Sequence, residues 1–287
     1  MSVILALLLQ VGPNPLGGGM AGDELVRDRP ARAEVAEEAE QNAASAWLRT
    51  CLGQLEDDPA RAHATAQIRR TETTGTDRVL ANHCLGMAAS ELGLWQDARG
   101  AFSEARDETP SDETRTRARF AALAGNAALA GGDAQGALAL LQLAEDDARA
   151  AKAAVLEAIA ATDRARALVM LGRGDEALTA LGNATALAPD RSEGWLLKAT
   201  LLRRMERLTE AQTAIERAAS LAPTNPEIGL EAGVIAVLAG REDAARASWL
   251  SVIELAPGHP AAGTARGYLA QLAPAGETVA TEEDTPS

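Results

Sequence analysis

From Ala33 to Leu272 the chain carries a near-continuous helical pattern of apolar and charged positions, interrupted at short intervals by glycine or proline. The interruptions fall at Asp57-Asp58-Pro59, Gly75, Gly93, Thr109-Pro110, Gly131-Gly132, Gly172-Arg173-Gly174, Pro189-Asp190, Pro223 to Pro226, Gly240 and Pro257 to Pro260. Glycine ends a helix through a left-handed cap and proline cannot continue one, so each break separates two helices of about four turns. Outside this stretch, residues 12–32 are rich in Gly and Pro, and residues 23–32 are assigned as a linker. Residues 273–287 combine Glu277, Glu282, Glu283 and Asp284 with Pro and Thr and read as a disordered acidic tail.

The breaks recur, which raises the question of a repeat. Superimposing the segments that open the second helix of each pair aligns Ala98, Ala137, Ala177, Ala211 and Ala245, with two longer steps followed by two equal, shorter ones. Four of these alanines precede a proline by the same interval: Pro110, Pro189, Pro223 and Pro257. Small residues line up in the first helix (Gly86, Gly125, Ala165, Ala199, Gly233) and late in the second (Ala105, Ala144, Ala184, Ala218, Val252). Between them stands a larger apolar residue: Phe102, Leu141, Leu181, Ile215 or Trp249. Small residues at a crossing let two backbones approach, and the large one fills the wedge beside it.

This pattern resembles the tetratricopeptide repeat family, whose helix–turn–helix unit of about 34 residues carries small, small, large and small residues followed by proline. The resemblance implies an all-α, right-handed superhelical array of such repeats. Units start near 79, 118, 158, 192 and 226, and a C-terminal capping helix covers 260–272. Residues 76–272 form the array and 33–75 a degenerate first repeat. The units at Val79 and Ala118 carry insertions of five and six residues, and the second of them lacks the terminal proline. In this family the first helices line a concave groove that receives an extended peptide or a partner helix. Carried over by offset, the groove candidates are Arg119, Asn126, Arg166, Met170, Arg203, Arg204, Leu230, Val234 and Val237, with His83 and Thr200 on the same face. The four arginines would receive an acidic peptide, and Leu230, Val234, Val237 and Leu238 would form an apolar patch unless the capping helix covers them. A carboxylate clamp of Lys, Asn and Arg is not supplied: Asn126 fits, but Ala122, Asp163, Glu193 and Leu197 occupy the other positions.

Composition supports helices and narrows the chemistry. Aromatics make up 2% of the 287 residues, too few for a sheet, while Ala, Leu, Arg and Glu dominate. The formal net charge of −14, with basic residues interleaved among acidic ones, argues against nucleic acid as a partner. No nucleophile elbow, zinc-protease or phosphate-loop motif is present, so no enzyme activity, cofactor or metal is expected. His63 and His83 lie near two cysteines in sequence, but at scattered helical offsets rather than the short paired spacing zinc requires.

Cys51 and Cys84 each stand in Cys-Leu-Gly on the first helices of consecutive pairs, which pack side by side, and are the disulfide candidate. The alternative is two small buried hydrophobes. Val3 to Val11 is a short apolar run, well below the length of about 20 residues needed to span a membrane. Residues 1–22 therefore read as a secretory signal peptide, with an apolar terminus as the other reading. The expectation is a non-enzymatic scaffold that binds another protein in the periplasm or cell envelope, without stable membrane insertion after cleavage. The alternative is a cytoplasmic regulatory or assembly module, or an accessory subunit of an envelope synthase or secretion complex.

Overall fold

The computed structural model describes residues 45–272, and among them there are thirteen α-helices and no strand. α1 crosses residues 45–53 and pairs with α2 (Pro59–Glu72). The following pairs are α3 (Gly75–Glu91) with α4 (Trp95–Glu108), α5 (Thr114–Ala130) with α6 (Ala134–Ala150), and α7 (Ala154–Met170) with α8 (Gly174–Leu187). Then come α9 (Ser192–Arg204) with α10 (Leu208–Leu221), α11 (Pro226–Leu238) with α12 (Glu242–Leu255), and α13 (Pro260–Gln271) alone. From α2 onward each helix packs on the next along the chain, which makes the described region a helical solenoid. The signal-peptide, linker and tail assignments, and residues 33–44 of the first repeat, lie outside the described residues.

Local chemistry sets the boundaries. Asn225 accepts from the Glu227 N–H at 2.9 Å and Asp58 from the Arg61 N–H at 2.9 Å, each followed by proline at the first helical position. Turns inside a pair close with a backbone bond from the residue entering the second helix: Arg173 N–H to Leu168, Arg207 to Leu202 and Arg241 to Ala236, all at 2.9 Å. The middle residue of these turns is left-handed. Gly172 and Gly240 hold it without penalty, but Glu206 stands there at φ 61°.

The extra residues of the longer units are helical. α3, α5 and α7 each have 17 residues where α9 and α11 have 13, so one more turn precedes the repeat-defining positions. α6 is longer as well, with 17 residues against 14 in the other second helices of the array. The turn after it holds Lys152, left-handed at φ 52°, with the Ala153 N–H bonded to Ala148 at 2.9 Å. A junction that proline makes elsewhere is made here by the turn otherwise found within pairs, and no glycine advertises it in the sequence.

The core is built from the small–large contact. A Cβ added to Gly86, Gly125 or Gly233 would fall closer than 3.0 Å to the side chains of Phe102, Leu141 and Trp249 respectively. Those three large residues are buried, as are Leu181 and Ile215 opposite Ala165 and Ala199. Each contributes about 1.5–3 kcal/mol by leaving water. At the N-terminal end the packing changes. α2 buries only Ala62 and Ala66, and Cys51 of α1 is disulfide-bonded to Cys84 of α3, with Cα atoms 6.3 Å apart. Of the two readings the cysteines allowed, the bonded pair is the one found. No described helix is long and apolar enough to cross a membrane.

Candidate binding surface on the first helices

Successive first helices touch one another, α5 with α7, α7 with α9, α9 with α11 and α11 with α13, whereas among the described residues no comparable contact joins successive second helices. The first helices therefore line the inner side of the array, as the family pattern implied. The longer neighbour-to-neighbour distance falls to the second helices outside.

Across that inner face the groove candidates separate into three groups. Arg119 and Arg204 are exposed and make no hydrogen bond or ion pair with the described residues. Arg166 and Arg203 are engaged. Arg203 of α9 grips Glu231 of α11 with Nε at 2.6 Å and a second nitrogen at 3.3 Å. Arg166 of α7 pairs with Asp163 on its own helix and reaches Glu193 of α9 at 2.5 Å. Asn126 of α5 donates to the other Asp163 oxygen at 3.0 Å. Asn126, Asp163, Arg166 and Glu193 thus form one polar chain over three consecutive first helices. Burial, opposed by Arg166 and Asn126, holds the Asp163 carboxyl above the ordinary carboxylate range. The positive stripe expected from the four arginines is halved, because two of them are matched by carboxylates.

The apolar group divides too. Leu230, Val234 and Val237 are half-buried in the cluster that Ala261, Ala262, Ala265, Tyr268 and Leu269 of α13 complete, so the capping helix takes them up. Met170 and Leu238 remain open, at 54% and 53% exposure. Met170, Arg204 and Leu238 stand one repeat apart from each other and form a row along the C-terminal ends of α7, α9 and α11. His83, also on this side, lies edge-on to Phe120 with ring centroids 5.4 Å apart, and burial lowers its pKa to about 4.

The sequence pattern places Asp163 and Glu193 on this face only as residues unsuited to a carboxylate clamp, and it does not single out Glu231. A signal is nevertheless present. Arg166 and Arg203 precede their carboxylate partners by 27 and 28 residues, somewhat less than one repeat. That offset puts an acidic residue of the next first helix below the arginine.

Residues 162–226 and 196–260 match the family model for the tetratricopeptide repeat. No curated protein matches the chain. Among solved structures the chain is similar to pilF of Pseudomonas aeruginosa, with 15% identity and a TM-score of 0.61 over 80% of this chain and 99% of that one. It is also similar to BtubC from P. vanneervenii, at 14% identity and a TM-score of 0.56, over 87% and 98% of the two chains. TTC0263, a thermophilic tetratricopeptide protein of Thermus thermophilus, has 20% identity and a TM-score of 0.51, covering 67% of this chain and 97% of its own. At these identities the likeness is one of fold.

Proposed function

Taking as premise that this chain is a tetratricopeptide repeat protein, we propose that it is a scaffold that holds another protein against the inner face of its first helices. The carrying observation is the row of Met170, Arg204 and Leu238, two exposed apolar side chains flanking an unpartnered guanidinium on three consecutive repeats. Neighbouring helices lie about 8–10 Å apart and an extended segment rises about 3.3 Å per residue, so every third residue of such a segment meets one repeat. The partner segment is therefore an extended stretch with apolar residues on either side of an acidic one. Its backbone polar groups are served by the Asn126–Asp163–Arg166–Glu193 chain and by Thr200 between the helices.

The site of action in this proposal is the periplasm or cell envelope. Support comes from the apolar run Val3 to Val11 and from the Cys51–Cys84 bond, since disulfides persist in oxidising compartments.

A photoreactive residue placed at Thr200, on the inner face, and at Thr213, on α10, tests the binding surface in cells. Cross-linking of one discrete partner from Thr200 and not from Thr213 is the expected result. Capture from Thr213 alone moves the interface to the second helices. The intact mass of the native protein, measured without reductant, tests the compartment. Loss of about twenty N-terminal residues with an oxidised cysteine pair is expected, and a full-length reduced chain returns the protein to a cytoplasmic complex.

A further inference from the structure

A cavity of about 330 Å³ opens between α10 and α12, beside the start of α11, with Pro223, Ile228, Gly229, Ala232, Ser251 and Leu255 among its walls. Its origin is visible one repeat earlier. At the matching positions there stand Pro189, Trp195, Lys198 and Arg217 in place of Pro223, Gly229, Ala232 and Ser251. The Trp195 indole N–H donates to the Pro189 carbonyl at 3.1 Å, Arg217 donates to the same oxygen at 3.2 Å, and the Lys198 ammonium lies 5.3 Å from the indole ring. In the later repeat all three side chains are cut back to Gly, Ala and Ser, and the Pro223 carbonyl accepts no hydrogen bond from the described residues.

A small residue at this position does not by itself open space. Ala161, the counterpart of Trp195 in α7, is 1% exposed, and Arg164 still stands at the Lys198 position there. Nor does the chain refill the cavity from Gly229, where a Cβ would meet the Val252 Cγ2 at 2.5 Å. At about 330 Å³ the space sits at the small end of ligand pockets, which run from roughly 300 to 1,000 Å³, and suits one fused ring rather than a large cofactor. Leu255, 55% exposed, extends an apolar wall at its mouth.

We propose that this notch is a docking site for a tryptophan side chain presented by a partner protein. The indole takes the place that Trp195 holds in the preceding repeat, with its N–H donating to the Pro223 carbonyl and its ring against Ile228, Ala232 and Leu255. Tryptophan combines a large buried area with one directional donor, which is why it anchors interfaces disproportionately. The site lies apart from the inner face and does not depend on it.

The test uses the full chain and N-acetyl-tryptophanamide as probe, followed by amide NMR shifts. Saturable shifts confined to residues 223–232 and 247–255 are expected. N-acetyl-phenylalaninamide, lacking the N–H, should bind roughly threefold to tenfold more weakly. Ala232→Phe, which fills the notch with a ring of the chain's own, should abolish the shifts, and Leu255→Ala, which removes the apolar wall at the mouth, should weaken them independently. Shifts that never saturate, that survive both substitutions, or that favour N-acetyl-argininamide would overturn the assignment.

Discussion

Between α9 and α13 every pair is held by the same steric device, while between α1 and α3 that device is missing and a covalent bond stands in its place. In the later region a small residue of the first helix receives a large one of the second, as Gly233 receives Trp249 and Ala199 faces Ile215. The large side chains bring their own apolar area to the contact. In the earlier region Cys51, Ala62, Ala66, Cys84 and Leu85 make up much of the cluster, with Trp47 and Leu48 only partly buried. Alanines remove little surface from water, so this pair gains less from burial. A solenoid is stabilised largely by contacts between neighbours, and its weakest end must be tied down or it frays. The Cys51–Cys84 bond ties the α1–α2 pair to α3.

Four experiments test that comparison, and the first should have the largest effect. Replacing both cysteines with serine opens a loop closed across a sequence separation of 33, which should cost about 3–4 kcal/mol. Hydrogen exchange should show protection lost over residues 45–72 and kept from α7 onward. Uniform loss would mean that the array unfolds as one unit and that its two ends are not independent.

A second difference is electrostatic. His83 lies in the earlier region with its pKa lowered by burial to about 4, against 6.5 ordinarily. The unfolded chain therefore takes up the proton first, and stability is complete above pH 6.5 and declines as pH falls toward 4. The loss amounts to roughly 3 kcal/mol. Asp163 and Glu145, raised chiefly by burial, act the other way, since the folded state protonates more readily. Urea titrations of the wild type and His83→Gln from pH 7 to 4 should show the decline only in the wild type. A parallel decline in both would place the acid sensitivity elsewhere.

The steric device itself can be probed at two equivalent glycines. Gly233→Ala forces the Trp249 ring to move while its indole is bonded to the Leu230 carbonyl at 3.1 Å, and should cost about 1–3 kcal/mol. Gly267, at the same position one repeat on, has nothing within 4 Å, because α13 has no second helix among the described residues. Gly267→Ala should instead stabilise α13 by about 0.5–1 kcal/mol. Thermal melts showing the same sign for both would break the correspondence between the two positions. The smallest effect is expected at Glu206, whose left-handed backbone is strained where Gly172 and Gly240 are not. Glu206→Gly should raise stability by about 0.4–1 kcal/mol, and a lower melting temperature would mean that the glutamate side chain contributes more than its backbone costs.

Much of the fold was legible in the residues. Gly and Pro breaks located most of the turns, and the aligned alanines and glycines exposed the repeat, because a close backbone approach tolerates few side chains and so leaves a mark at every copy. The α6–α7 junction was not marked, since Lys152 adopts a conformation that its sequence context does not announce. The candidate surface was legible only as a set of positions. That Arg166 and Arg203 are matched by Asp163, Glu193 and Glu231 while Arg119 and Arg204 stand free depends on side chains from different repeats.

The sequence by itself therefore determined the helices, their pairing and the repeat period, all of which follow from local backbone preference and from steric demands at fixed spacing. Only the tertiary structure decided which charges cancel, that α13 takes up Leu230, Val234 and Val237, that Cys51 meets Cys84, and that Gly229, Ala232 and Ser251 together leave a cavity. Each of those depends on distances between residues about a repeat or more apart, or packed from separate helices. Such distances are set by the angle at which one helix pair stacks on the next.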